Sequence, residues 1–417
     1  VPSILFTTST LPRWPRDPEA RFVLDLARAL PPDWESLILA PLAPGARARE
    51  SLEGIDVVRY RYAPAARLET LCYPGSTLGQ VQQNPLRLAL VPGLLAGLRR
   101  AVADQLRRRS FDCVHAHWLF PQGLVHTLGF ARARHPPLVV TSHGGDLGLA
   151  GRLPLARGLL RAVVRRAQSI TVVAPGMREQ LARLDKRLDP TEAAVIPMGV
   201  DLDRFRPDHR DPAWPRRHGL RPPVVLFVGR LVEKKGLPTL LEAFARQTRP
   251  ATLAICGEGP QEARLRRQAD QLGIASRVRF LGSLDHRELP VAYASADLCC
   301  VPSVPAGNGD LDGMPTVLAE AAASGLPLVG SNLAGIPLII EPEHTGLLVP
   351  SGDVPALAQA LDRLLGDELL RRRLGHNATA KARDFSWQTI AERFVAVYRA
   401  AIEARQAQPA TTLRKVE

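Results

Sequence analysis

A chain of 417 residues, 46% hydrophobic and 23% charged, has ordinary globular composition and is long enough for two or three domains, each with its own core. Its richest apolar run, Leu86 to Leu98, is broken by Arg87, Pro92 and two glycines, well short of the ~18 residues that a membrane-spanning helix needs. All but five of the 54 basic residues behind the net charge of +13 are arginines, at helical spacings with few aromatics between them, which points away from a base-stacking nucleic-acid surface and towards anionic lipid, an anionic acceptor or a solvated face.

The N-terminus, VPSILFTTST, has no basic n-region and reads as a first strand rather than a signal peptide. Five cysteines without a C-x-x-C pair predict a reducing compartment, so the expected location is cytoplasmic. Ile4 to Phe6 is the predicted strand, followed by a loop to Pro18 and a helix from about Glu19 to Leu30. A dinucleotide-binding chain places G-x-G-x-x-G in that first turn. Here TTSTLPRWPRDPEAR contains no glycine, which argues against an NAD or FAD enzyme. This loop, with Arg13, Trp14 and Asp17, is either a ligand-facing segment or a surface loop whose Trp packs for burial.

Ser36 to Ala40 and Val57 to Tyr60 read as further strands. From Asn84 to Arg109 an apolar stripe alternates with Arg99, Arg100 and Arg107 to Arg109. Such a stripe is either the packed face of a Rossmann-like helix or an interfacial helix that snorkels its arginines to lipid headgroups. The strand Val114 to Trp118 sets His117 and Trp118 at its carboxyl end, where open α/β sheets hold ligands. His115 and His117 form an H-x-H pair, but no third ligand lies nearby in the sequence, and metal binding is not expected. Leu138 to Thr141 is a strand that runs into Ser142-His143-Gly144-Gly145-Asp146. This places His143 at a strand end, able to donate to a sugar hydroxyl or to a phosphate as charge develops there. Ser169 to Val173 and Ala193 to Pro197 are predicted strands, and the Pro- and Gly-bearing segment after them marks a domain boundary near residue 200.

The second half opens on a near-continuous apolar strand, Pro223 to Val228, then Gly229-Arg230-Leu-Val-Glu-Lys-Lys235-Gly236. One fork-shaped and one point-like cation can neutralise a diphosphate without a metal. Leu253 to Cys256 and Val278 to Leu281 are strands separated by a helix, a rhythm that implies a parallel sheet. Gly257-Glu-Gly259-Pro260 is a strand-to-helix turn that lets backbone come close to a ligand. Leu298 to Val301 ends another strand. A polar loop follows, then a helix from Thr316 to Ala323, opened by Pro315 and stopped by Gly325. Asp312 lies in that loop and Glu320 in that helix. The N–H groups across Gly313, Met314, Pro315, Thr316 and Val317 are those of a helix start, a ready anion site. Two carboxylates flanking such donors suit a polyhydroxylated ligand that carries phosphate, a sugar nucleotide. Asp310-Leu-Asp312 spells a D-x-D metal motif, but Arg230 and Lys235 already supply the cations, so no metal cofactor is expected. Ser386 to about Ala404 has the apolar spacing of a last helix, and residues from Gln406 onward read as a frayed tail.

Asp312-Gly-Met-Pro-x4-Glu320 resembles the E-x7-E motif of retaining glycosyltransferases with the GT-B fold, family 4, with Asp in place of the first Glu. Gly229-Arg230-x4-Lys235-Gly236 is similar to the family's G-R-x4-K-G loop, Gly257-x-Gly259-Pro260 to its G-x-G-P turn, and Ser142-His143-Gly-Gly-Asp146 to its T-x-H-G-x-D segment. The segment Ile196-Pro-Met-Gly-Val-Asp201 resembles the link between the two domains. The resemblance implies an α/β fold of two Rossmann-like domains with parallel sheets facing across a cleft. It implies an N-terminal acceptor-side domain over 1–200, a nucleotide-sugar domain over 201–385, a helix over 386–405 crossing back to the first, and a tail over 406–417. It further implies that Arg230 and Lys235 hold the nucleotide diphosphate, Glu320 the ribose, and Asp312 the donor sugar. His143 then lies against donor and acceptor, Leu281 and Gly282 hold the base, Arg13, Trp14 and Asp17 face the acceptor side, and Asp146 joins the cleft-lining His117 and Trp118 in binding substrate. The implied activity is retaining transfer of a sugar from a UDP- or GDP-sugar to an acceptor hydroxyl, with no enzyme nucleophile. The HAHW and PRW features resemble those of exopolysaccharide, cell-envelope or lipid-linked saccharide enzymes, and the Arg-rich first half points to peripheral contact with the inner face of an anionic membrane. The rivals are a catalytically silent nucleotide-sugar-binding protein, a nucleotide-sugar epimerase on the same fold, and a basic nucleic-acid-binding protein, which the donor-site motifs argue against.

Overall fold

The computed structural model describes all residues except 16, 18, 74, 76, 132–134, 151–153, 286, 308–310, 312 and 408–417. The chain folds into two compact units, residues 1–196 with 390–417, and residues 197–389.

The first unit is built on eight strands: β1 (Ser3–Thr7), β2 (Glu35–Pro41), β3 (Arg49–Leu52), β4 (Ile55–Tyr60), β5 (Cys113–His117), β6 (Leu138–Ser142), β7 (Ser169–Val172) and β8 (Ala194–Val195). Their order in the sheet is β3-β4-β2-β1-β5-β6-β7-β8. Every pairing is parallel except β3 with β4. β1, β5 and β6 are buried along their whole length, which is why they lack the apolar–polar alternation of a half-exposed strand, and β5 carries His115 and His117 inside. The strand order reverses between β1 and β5, so the loops leaving Thr7 and His117 diverge there and leave a crevice. The last helix, Trp387–Gln406, begins with the second unit. From Ile390 on it belongs to the first, where Ile390, Phe394 and Tyr398 are buried.

The second unit has six strands, β9 (Val224–Val228), β10 (Thr252–Cys256), β11 (Val278–Gly282), β12 (Leu298–Val301), β13 (Leu328–Ser331) and β14 (Gly346–Val349). They are all parallel, in the order β11-β10-β9-β12-β13-β14. This doubly wound order puts its own switch point between β9 and β12. The core is apolar side chains of β9, β10 and β12 packed against the helices Leu237–Arg246 and Val354–Gly366, including Phe227, Leu241, Phe244, Leu253 and Leu361.

Three departures from the sequence reading are local. β3, β13 and β14 were not anticipated: β3 is an edge strand whose residues are mostly exposed, and β13 and β14 are four-residue strands with a glycine in each. The predicted strand Ala193 to Pro197 shrinks to two residues because Pro197 has no N–H to continue the ladder. The first helix runs only from Phe22 to Arg28.

Candidate functional site

In the second unit the loops leaving β9, β10 and β12 lean on one another at the switch point. The Gly229 N–H donates to the Cys256 carbonyl at 2.9 Å, Leu231 N–H to Glu258 at 2.9 Å, and Gly257 N–H to Gly282 at 2.7 Å. Gly257 has φ +132°, and a Cβ there would lie 2.0 Å from the Gly229 carbonyl oxygen, so no side chain fits between these loops. Gly236 has φ +67°, with Pro302 of the β12 loop pressed against it: an added Cβ would sit 1.8 Å from the Pro302 carbonyl oxygen. The β12 loop is tied to the same place by Val304 N–H to the Lys234 carbonyl at 3.0 Å and by Gly307 N–H to Glu233 Oε1 at 3.0 Å. Arg230 is exposed and Lys235 half-buried, its stem alongside Gly229. Two cations are therefore carried on a loop whose backbone is fixed by its neighbours.

The helix Thr316–Ala323 follows this loop, with Pro315 at its N-cap and no side chain capping it. Thr316 and Val317 occupy its half-buried first turn. Gly313 is held by the Gly335 N–H, which donates to its carbonyl at 2.8 Å, and the Met314 sulfur accepts from the Met198 N–H at 3.2 Å. Glu320 is half-buried one turn into the helix, its Oε2 accepting from the Tyr293 hydroxyl at 2.8 Å. Burial pushes its carboxyl above the ordinary range, against the Tyr293 hydrogen bond and the nearby Arg204 charge. Leu281 is half-buried at the end of β11, next to Gly282, and Gly259 lies in the turn before the helix Glu262–Gln271. Asp312, and Asp310 with it, lie outside the described residues. Among the described residues no group of three or more His, Cys, Asp or Glu side chains is placed to hold a metal ion.

In the first unit β5 and β6 end side by side, and their termini carry the second cluster. His117 Nδ1 and His143 Nε2 are 3.1 Å apart with their rings stacked at 5.3 Å. Phe22 packs on His143 at 4.8 Å and Trp118 at 4.9 Å. Trp118 has φ +77°, a conformation that a bulky aromatic adopts only when its surroundings impose it, and it brings the indole onto His143. His115 shares the inward face with His117. Its Nδ1 meets the Tyr398 hydroxyl at 2.8 Å and its Nε2 the Thr141 hydroxyl at 2.7 Å. Burial holds all three imidazoles neutral, with His115 and His143 pushed down to about 3 and His117 well below its usual value.

Three residues expected near the substrate, Asp146, Arg13 and Asp17, are engaged in hydrogen bonds within the first unit. Asp146 accepts from the Leu119 N–H at 2.7 Å, from the Ser142 hydroxyl at 2.5 Å and from the Leu147 N–H at 3.1 Å, and so pins the chain after β5 to the end of β6. Arg13 grips Asp17 bidentately at 2.7 and 2.9 Å and lies 4.4 Å over the Trp14 ring. Burial alone would raise the Asp17 carboxyl, but the hydrogen bonds from Arg13 outweigh it and hold it low. Sequence reasoning missed Phe22, Tyr293, Arg204 and Glu233. Each acts through a partner distant in the chain, and only Phe22, the first residue of its helix, carries a local signal.

Two family models match the chain: glycosyltransferase family 4 over residues 20–204 and glycosyl transferases group 1 over residues 211–381. The GDP-mannose-dependent alpha-(1-6)-phosphatidylinositol monomannoside mannosyltransferase of Mycolicibacterium smegmatis is 35% identical over 284 residues, 66% of this chain and 73% of that protein. The D-inositol 3-phosphate glycosyltransferase of Nocardia farcinica is 32% identical over 379 residues, 84% of this chain and 81% of that protein. Among solved structures, sucrose-phosphate synthase from Thermosynechococcus elongatus superposes with a TM-score of 0.77 at 23% identity, covering 97% of this chain and 100% of that one. Anabaena HepE in complex with UDP and glucose gives 0.71 at 18% identity, covering 96% and 100%.

Proposed function

The chain belongs to the group 1, family 4 glycosyltransferases, and from that premise we propose that it moves a sugar from a UDP- or GDP-sugar to an acceptor hydroxyl with retention at the anomeric carbon. The observation that carries this reading is the convergence of the glycine-lined loops after β9, β10 and β12 at the switch point of the second unit, beside the start of the helix that bears Glu320. Arg230 and Lys235 take the diphosphate, Glu320 the ribose hydroxyls, Asp312 the donor sugar, and the Gly313 to Val317 backbone the sugar and phosphate. Gly229, Gly257 and Gly259 allow the backbone to approach, and Leu281 lies next to the base. His143 donates a hydrogen bond to the substrate at the end of β6.

The bond from the anomeric carbon to the phosphate oxygen breaks while the acceptor oxygen bonds to that carbon on the same face. The departing phosphate oxygen takes the acceptor's proton. Charge growing on the diphosphate is met by the two cations, so they act on the transition state more than on the bound donor. The acceptor is a saccharide or lipid-linked saccharide of an envelope or exopolysaccharide. The enzyme acts at the cytoplasmic face of an anionic membrane. Leu86 and Leu88, 82% and 55% exposed on either side of Arg87, together with Arg99, Arg100, Arg107 and Arg108 of the helix Val91–Arg108, are the groups that meet it. Among the described residues no helix is long and apolar enough to cross a membrane.

The test is a thermal-shift panel of UDP- and GDP-sugars on the native protein and on Glu320→Ala. A ligand at about 100 times its dissociation constant stabilises by ~2.7 kcal/mol. A shift with one sugar nucleotide that is lost in the variant supports the assignment. Equal shifts in both proteins would overturn the role of Glu320, and no shift with any donor would overturn the donor reading.

A further inference from the structure

The His117–His143 pair fixes more than a contact. Both imidazoles are neutral, so across the 3.1 Å between His117 Nδ1 and His143 Nε2 one nitrogen carries the proton and the other accepts it. The other nitrogen of His117 decides which. His117 is 2% exposed, its ring is enclosed by Phe6, Phe22, His115, Trp118 and His143, and its Nε2 is buried with no hydrogen-bond partner among the described residues. An orphaned buried N–H is rarer than an under-satisfied acceptor, so the proton of His117 belongs on Nδ1, where it has a partner, and Nε2 is bare. His143 Nε2 is then the acceptor, and its proton sits on Nδ1. The second buried imidazole pair obeys the same logic. The Pro136 carbonyl, 2.7 Å from His135 Nδ1, puts the proton there, which makes His135 Nε2 the acceptor for His126 Nδ1–H at 2.9 Å.

We propose that His117 is a positioning residue that locks His143 as its Nδ1–H tautomer, so that His143 presents a hydrogen-bond donor and not a base to a sugar hydroxyl or phosphate oxygen. Its consequence for transfer rests on the reading of His143 as a group that touches substrate. The tautomer itself does not.

Long-range 15N–1H correlation spectra of the full-length protein labelled at histidine, with His143→Asn as the assignment control, read the protonated nitrogen directly. The expected result is Nδ1–H for His143 in the native protein. In His117→Phe, which keeps a ring but no donor, His143 should relax to the Nε2–H form that free imidazole prefers, and the transfer rate at saturating substrates should fall by about tenfold or more. His117→Asn, whose amide N–H stands close to the place of Nδ1–H, should keep the native tautomer and most of the rate. Nε2–H in the native protein, or an unchanged tautomer in His117→Phe, would overturn the lock. A tautomer that moves as expected while transfer stays unchanged would uphold the lock and overturn instead the substrate contact of His143. Should His117→Phe not fold, the native and His117→Asn spectra still decide.

Discussion

At the scale of single residues the Glu320 carboxylate depends on a group far from it in sequence. Tyr293, in the helix Glu288–Ser295, is buried and gives its hydroxyl to Glu320, and that hydrogen bond works against the burial that raises the Glu320 carboxyl. Tyr293→Phe removes it while keeping the ring that packs edge-on against Phe205 at 5.7 Å. The carboxyl of Glu320 should then rise further, and its charged form, the one proposed to accept from ribose hydroxyls, should be lost at a higher pH than in the native protein. Calorimetric titration with the nucleotide sugar should find binding weaker by about tenfold, or ~1.4 kcal/mol, with the loss growing as the solution is acidified. Binding that is equal at every pH would mean that Tyr293 only fills space.

At the scale of elements, the segment Pro85–Leu90 and the helix that follows present two different surfaces. Leu94, Leu98 and Val102 are buried in the first unit, so the apolar stripe read from the sequence is chiefly a packed helix face. The stretch before it is different, with Leu86 and Leu88 turned outward beside Arg87. If these two leucines enter a lipid interface, Leu86→Ser with Leu88→Ser should leave the thermal unfolding temperature unchanged, because neither is in the core, and should abolish co-sedimentation with vesicles that contain anionic lipid. Arg107→Gln with Arg108→Gln should instead weaken co-sedimentation in a salt-dependent way. Failure of the native protein to co-sediment would sink the membrane proposal.

At the scale of the whole molecule, four buried imidazoles and the half-buried His143 are held neutral in the first unit: His115 and His143 are pushed down to about 3, His135 to about 4, and His117 and His126 well below 6.5. In each case desolvation is the leading cause. In the unfolded chain these groups take up protons as pH falls through about 6.5, while the folded protein cannot follow until pH reaches their depressed values. The unfolded state therefore binds more protons in that window, and stability must fall as the pH is lowered through it. Thermal unfolding followed from neutral towards acidic pH should show a falling midpoint, and His115→Gln, which removes one such group, should flatten the slope. A midpoint indifferent to pH across that window would show that these histidines are not held neutral.

The sequence alone determined the two-fold repetition of strand and helix, the family, and the glycine-bearing turns at the strand ends, because these depend on properties local to the chain. Apolar runs buried on both faces announce β1, β9 and β12, glycines with positive φ mark the tight turn at Gly236 and Gly257, and Pro315 opens the helix at Thr316. The short strands β3, β13 and β14 were not legible, since so few residues carry no period and gain their structure from the neighbours they pair with. Tertiary structure alone decided the partners. Nothing near Glu320 in the chain announces Tyr293, nothing near His115 announces Tyr398, and the spacing of His117 and His143 gives no sign that their rings touch. It also made Asp146 the acceptor that joins two strand ends. The physical reason is one of range. Helix starts, turns and buried strands are written in steric and hydrophobic preferences over a few residues, whereas the protonation and aim of a buried polar group are set by whichever distant atom the fold brings within about 3 Å of it.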